Sequence, residues 1–296
     1  MAVNSGDNIT AANYNTLQSR VNSVLGTGNG QNGYGQSLSS SSVSAQTTIT
    51  AAHMTTLLDD INNVNGHIFG SNTTLSVITT GDTIGANASD GDTNAGFNAF
   101  LSRVEILEAN QNLVDGTQST VEPAITSSRT SEWNGTVTHT FTVTFNDANH
   151  RRYFFNTGGE VWLEANITGD ATAKAQDWNT MFVNQGIIKF QKNATTNTGT
   201  GTSQAVGNYN VTTSYQKIFE KNGSAANYSE NIYRIQAKEV SSAQLQFKIE
   251  FQDNDAGDPN FDENIGGTLT STIKQKRATG SFVAVTSPAY ANTSNL

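Results

Sequence analysis

The first part of the chain writes one pattern of apolar and polar positions more than once. From Ile9 it reads ITAANYNTLQSRVNSV, and from Ile49 it reads ITAAHMTTLLDDINNV. In the first copy Tyr14, Leu17, Val21 and Val24 recur at three- and four-residue steps. Met54, Leu57, Ile61 and Val64 fall at the matching places of the second. This spacing predicts two amphipathic helices of about four turns each. Thr10 and Thr50 stand where N-caps belong, with Ile9 and Ile49 before them in the place of a hydrophobic staple. A third copy is degraded. GDTIGA from Gly81 repeats GDNITA from Gly6, and FNAFLSRVEIL then sets Phe97, Phe100, Val104 and Leu107 on one face. The insertion NASDGDTNAG separates this third lead-in from its helix.

Helices this short need their apolar stripes covered. The stripes can cover one another as a bundle within one chain, or they can pack on neighbouring chains. The linkers are rich in Gly, Ser, Asn and Thr, and they exceed the two to eight residues usual between compact helix pairs. That length keeps the second arrangement open beside the first. The candidate interface residues are therefore Tyr14, Leu17, Val21, Met54, Leu57, Ile61, Phe97, Phe100 and Val104. Residues 1–125 are read as a helical-repeat docking or oligomerisation region without a self-sufficient core.

The pattern changes after residue 135. TVTHTFTVTF, Thr136–Phe145, alternates with a period of two, which predicts a half-buried strand. His139 lies on its apolar face as a packed core histidine. RRYFFNTGGEVWLEANITG reads as strand, turn, strand around the two glycines. AKAQDWNTMFVNQG reads as a helix carrying Trp178, Met181 and Phe182, stopped by Gly186. Further strands are predicted at Ile187–Lys192, Tyr209–Thr213, Ile232–Val240, Leu245–Asp253, Thr268–Gln275 and Ser281–Val285. The expected fold class is α+β: N-terminal short-helix repeats, a linker at 126–135, and a mainly antiparallel β-sandwich with one inserted helix at 136–296.

HRRYFFNTGGEVWLEANITG followed by a helix containing AQDWNTMF resembles a module of virion structural proteins of T-even-like tailed phages, cyanophage type. The GD-x-ITA phrases resemble the lead-in repeats of the same proteins. The likeness covers the N-terminal repeats and roughly residues 135–190. It implies a particle component made in the host cytoplasm and carried in the virion, in the tail, neck or a fibre. Its partners would be further copies of itself and other virion proteins. The resemblance carries no catalytic residues to these positions.

Composition narrows the alternatives. There are no cysteines, so thiolate metal sites, cysteine nucleophiles and disulfides are excluded. Residues 1–125 carry ten acidic and two basic residues, and the remainder 15 and 14. An acidic first part argues against nucleic acid as a partner. No run approaches a membrane span, and the first ten residues lack the pattern of a secretory signal. No zincin, Walker, dinucleotide-binding or nucleophile-elbow motif occurs, and His53, His67, His139 and His150 are scattered. An enzyme is not expected, nor is a cofactor. The one carboxylate cluster, DNDAGDPNFDEN, offers Asp253, Asp255 and Asp258 as weak calcium candidates without the spacing of an EF-hand; a solvated acidic loop is the simpler account. His150, Arg151 and Arg152 form a short basic run, read as a solvated strand start or a contact to an acidic neighbour. The alternative function is a receptor- or glycan-binding fibre module reading host surface glycan, which exposed aromatics beside carboxylates would favour.

Overall fold

The computed structural model describes residues 2–4, 7–81, 84, 96–255 and 264–296. The chain forms two compact units. One comprises residues 1–120, 152–158 and 277–285, and the other residues 121–151, 159–276 and 286–296.

The first unit is built on three helices, α1 (Ala11–Leu25), α2 (Ala51–Phe69) and α3 (Phe97–Asn110). Thr10 and Thr50 cap α1 and α2 as expected. Each closes a capping box, with Asn13 and His53 in the place usually taken by Glu or Gln. Helix α2 ends at Gly70, which adopts φ 78° as a left-handed cap. The third lead-in supplies no cap, since Gly96 precedes α3 instead.

The helices run parallel. Tyr14 and His53, both in first turns, pack with ring centroids 5.7 Å apart and planes inclined by 49°. Arg20, midway along α1, binds Glu108 and Glu105 in the later half of α3. Parallel helices explain the long linkers. A 15-residue helix is about 22 Å long, and the chain must travel back that distance before it starts the next. The return from α1 is pinned by side chains. Asp60, fully buried on α2, accepts the backbone N–H groups of Ser39 and Ser40 at 2.7 and 2.9 Å. Asn15 then exchanges two 2.8 Å bonds with the backbone of Val43.

The second unit is a sandwich of two antiparallel sheets. Its strands are β1 (Ser119–Arg129), β2 (Thr136–Thr144), β3 (Glu160–Thr168), β4 (Ile188–Phe190), β5 (Thr195–Asn197), β6 (Thr202–Ser203), β7 (Gln216–Asn222), β8 (Ile232–Ser241), β9 (Gln244–Gln252), β10 (Thr268–Ala278) and β11 (Ala289–Ser294). One sheet has the order β1-β10-β3-β4-β5 and the other β11-β2-β9-β8-β7-β6. The two clean alternations pair directly. Phe141 on β2 lies opposite Phe247 on β9, with rings stacked at 4.9 Å. Phe190 of the other sheet meets Phe247 edge-on at 5.1 Å, so the two inner faces share one aromatic core. Helix α5 (Ala173–Gln185) adds Trp178, Met181 and Phe182 to it.

Four expectations are corrected. The segment before the Asn156–Gly159 turn is a helix, α4 (Ala148–Asn156), not a strand. Asp147 Oδ1 accepts the His150 backbone N–H at 2.7 Å and caps it, and Arg151, Phe154 and Phe155 are buried at helical spacing. Three adjacent aromatics read as strand only when that cap is overlooked. Residues 209–213 form no strand; the next one begins at Gln216. Residues 281–285 contribute one isolated bridge, Thr279 to Ala284, and the last strand comes later, at β11. Strand β1 is not among the predicted strands. It lies at a sheet edge, carries Pro123 and exposes Val121, so no buried face imposes alternation on it.

Candidate functional site

The nine candidate interface residues come together, but as an interior. Leu17, Leu57 and Phe100 are each 0% exposed, and the other six are no more than 2% exposed. The stripes of α1, α2 and α3 cover one another within a single chain. The exposed apolar stripes expected of an isolated monomer do not exist, and buried side chains cannot offer themselves to a partner. A core thus forms in this region, and segments 152–158 and 277–285 belong to the same unit. Asn156 donates to the Gly33 carbonyl at 2.9 Å, and Phe282 lies flat against Gly66 of α2.

What remains accessible of the repeats is their beginning. Because the helices are parallel, the lead-ins of α1 and α2 collect at one end of the bundle. There they line an open hollow of about 1240 Å³, which Gly81 and Ile84, the described residues of the third lead-in, line as well. Ile9, Ile49 and Ile84, one from each lead-in, line it and are half-buried. The rest of its wall is mainly threonine and alanine, with Asp7 at the rim. The repeat is legible in sequence, but its gathering at one end is not, because periodicity is silent on helix direction.

The polar candidates of the second unit are tied into its interior. His139 is fully buried, with Nδ1 2.9 Å from Ser271 Oγ and Nε2 2.9 Å from Asn292 Oδ1. The Asn292 amide nitrogen donates to the Thr126 carbonyl at 3.3 Å, which orients that oxygen toward the ring. A neutral His139 therefore donates from Nε2 and accepts at Nδ1. Burial depresses its pKa, with the Asn292 bond opposing. It is a packed core histidine, as expected.

The basic run lies on helix α4 and not on a strand, with His150 and Arg151 buried and Arg152 half-buried. Arg151 is buried and holds Asn208 Oδ1 at 2.6 Å, the Asn208 carbonyl at 3.1 Å and Glu239 at 2.7 Å. Arg152, assigned to the first unit, donates to the carbonyls of Thr27 and Gly30 at 2.8 and 3.1 Å. His150 makes a 2.9 Å contact with the Thr286 carbonyl.

Of the calcium candidates, Asp258 lies outside the described residues. Asp253 and Asp255 lie 2.8 and 3.3 Å from Lys174 Nζ. The Lys174 side-chain nitrogen thus occupies the position next to both carboxylates that a cation would take. Lys174 is absent from the sequence candidates. A signal for it exists: it stands four residues before Trp178, on the same face of α5 as Trp178, Met181 and Gln185. A lysine on a buried stripe calls for a buried carboxylate.

Trp162, on the outer face of β3, is the aromatic nearest to carboxylates there. Its Nε1 donates to Glu160 at 2.5 Å, and Lys189 Nζ lies 4.8 Å from the ring centroid, over its face. Among the described residues no group of three His, Asp or Glu side chains is arranged to hold a metal ion, and no helix is long and apolar enough to cross a membrane. Comparison of the chain with protein-family models, with curated proteins and with solved structures finds no match.

Proposed function

We propose that this protein is a structural component of a tailed-phage particle, working by assembly with further copies of itself and with neighbouring particle proteins. The supporting observation is that one isoleucine from each lead-in, Ile9, Ile49 and Ile84, lines a single open hollow. A catalytic site needs unlike groups in unlike roles, such as an acid, a base and an oxyanion donor. An isoleucine from each lead-in, set among threonines and alanines, suits contact with another protein surface instead. The resemblance of the lead-ins and of the RRYFFN segment to virion proteins supports the same reading. Contact passes through the ends of the bundle and not through the stripes, which are already covered.

The test is particle composition together with assembly. Purified tailed particles from the host that yields this chain should contain it at a fixed copy number. Ile9→Asp with Ile49→Asp should leave the far-ultraviolet spectrum unchanged while removing the protein from particles. Particles that lack the wild-type protein, or that incorporate the double variant at the wild-type level, would overturn the proposal.

A further inference from the structure

The second unit buries a lysine against an aspartate. The Lys174 and Asp253 side chains are 1% and 0% exposed, with Nζ 2.8 Å from Oδ2. Asp255 approaches the same nitrogen at 3.3 Å and is 20% exposed. Two full charges held out of water cost several kcal/mol each before their attraction is counted. An amine against a carboxylic acid would avoid that cost, since neither group is charged. Burial also raises the Asp253 carboxyl above its ordinary pKa, although Lys174 pulls it down.

The surroundings hold the groups in place. Trp178, one turn beyond Lys174 on α5, and Phe251, two residues before Asp253 on β9, have ring centroids 6.3 Å apart. Trp133 packs edge-on against Trp178 at 5.2 Å. Asn231, fully buried, accepts the backbone N–H groups of Asn254 and Asp255 at 2.9 and 3.2 Å, which fixes the chain carrying both carboxylates. The Lys174 nitrogen, the buried Asp253 carboxyl and a second carboxylate are thus held together at the edge of the aromatic core. Such fixed proximity is worth many orders of magnitude in effective concentration.

We propose that Lys174 and Asp253 join through an intramolecular amide bond, formed by the folded chain itself, with Asp255 as the catalytic proton carrier. The neutral Lys174 amine attacks Cγ of the protonated Asp253 carboxyl, and the Nζ–Cγ bond forms. The Asp255 carboxylate takes the proton that nitrogen sheds and returns one to the departing hydroxyl. The Cγ–O bond breaks and one water leaves. Amine and acid become amide and water, so no oxidant, reductant or cofactor takes part. Burial of both side chains disfavours the return of water and so disfavours hydrolysis.

The experiment is mass spectrometry of the purified, folded full chain under denaturing conditions, followed by peptide mapping. The intact mass should fall short of the sequence by one water, and the digest should contain a branched peptide joining the Lys174 and Asp253 segments, with no tryptic cleavage after Lys174. A succinimide at the Asp90-Gly91 or Asp115-Gly116 step loses the same mass, so the branched peptide decides. Asp255→Ala should return the full sequence mass and separate peptides while keeping the wild-type circular dichroism. Folded wild-type protein that yields the two peptides unjoined, with or without a lost water, overturns the proposal, whatever the variant does. A branched peptide in Asp255→Ala at the wild-type yield removes Asp255 from the role given to it.

Discussion

Leu57→Asp separates an interior stripe from a docking stripe. Leu57 is fully buried at the centre of the bundle, between Met54 and Ile61 on the same face of α2. Truncating a buried leucine to alanine costs about 2–5 kcal/mol. A carboxylate in the same place must stay ionised at great cost or take up a proton, and for a buried acid raised by 3–5 pKa units taking up the proton costs roughly 4 kcal/mol at neutral pH. Asp60, one turn further along α2, is already a buried carboxylate and adds repulsion to the charged form. The total reaches the ~5–15 kcal/mol that holds a whole domain together, so the bundle should unfold. Limited trypsin digestion reads this directly. Arg20 and Arg103 are the only tryptic sites in residues 1–125, and Arg20 is held by Glu108 and Glu105. Rapid cleavage at both is expected in Leu57→Asp, together with loss of helical circular dichroism. The volume-conserving Leu57→Met should stay resistant, since such exchanges cost less than about 1.5 kcal/mol. All three tryptophans belong to the second unit, so their fluorescence reports separately on whether that unit follows. If Leu57→Asp keeps its trypsin resistance and helicity and changes only its state of association, the stripe faces a partner and the interior assignment is refuted.

Three further substitutions test other parts of the fold. Arg151→Ala leaves Glu239 and the Asn208 carbonyl without their cation, and urea unfolding should show a loss of about 1–3 kcal/mol, since Glu239 keeps a third of its side chain in solvent; a change under about 0.5 kcal/mol would mean that this network carries no weight. Gly66→Ala should destabilise the first unit even though alanine is preferred inside a helix by about 1 kcal/mol, because the added Cβ would lie 2.4 Å from the Phe282 ring. A thermal midpoint that rises in Gly66→Ala contradicts that packing, and Phe282→Leu in the same chain should recover the loss. His139 is neutral and buried, so its folded pKa lies below the unfolded value of about 6.5. As pH falls below that value, the unfolded chain binds a proton that the folded chain refuses. The stability His139 contributes is therefore complete above about pH 6.5 and is lost as pH falls through the window toward its folded pKa. His139→Gln should flatten that part of the profile, and a wild-type-minus-variant difference that stays level between about pH 5 and 7.5 would contradict it.

Periodicity alone determined much of this protein. The period of 3.6 in ITAANYNTLQSRV and its copy marked α1 and α2 with their Thr caps, because an amphipathic helix must place its apolar residues on one side. The period of two in TVTHTFTVTF and LQFKIEF marked β2 and β9, because one face of each is buried along its whole length. Where burial does not impose a period, the signal failed: β1 is an edge strand, and α4 hides its helical spacing behind three adjacent aromatics. The three-dimensional packing decided the rest. Helix direction carries no local signature, so only the fold shows that α1, α2 and α3 run parallel, that their stripes face one another, and that the long polar linkers are return paths. The pairing of Lys174 with Asp253 joins residues far apart in the chain, and neither has local spacing that points to the other. A charged side chain on an apolar stripe announces that a partner must exist, since burial without one is too costly, but the tertiary structure alone identifies which residue it is.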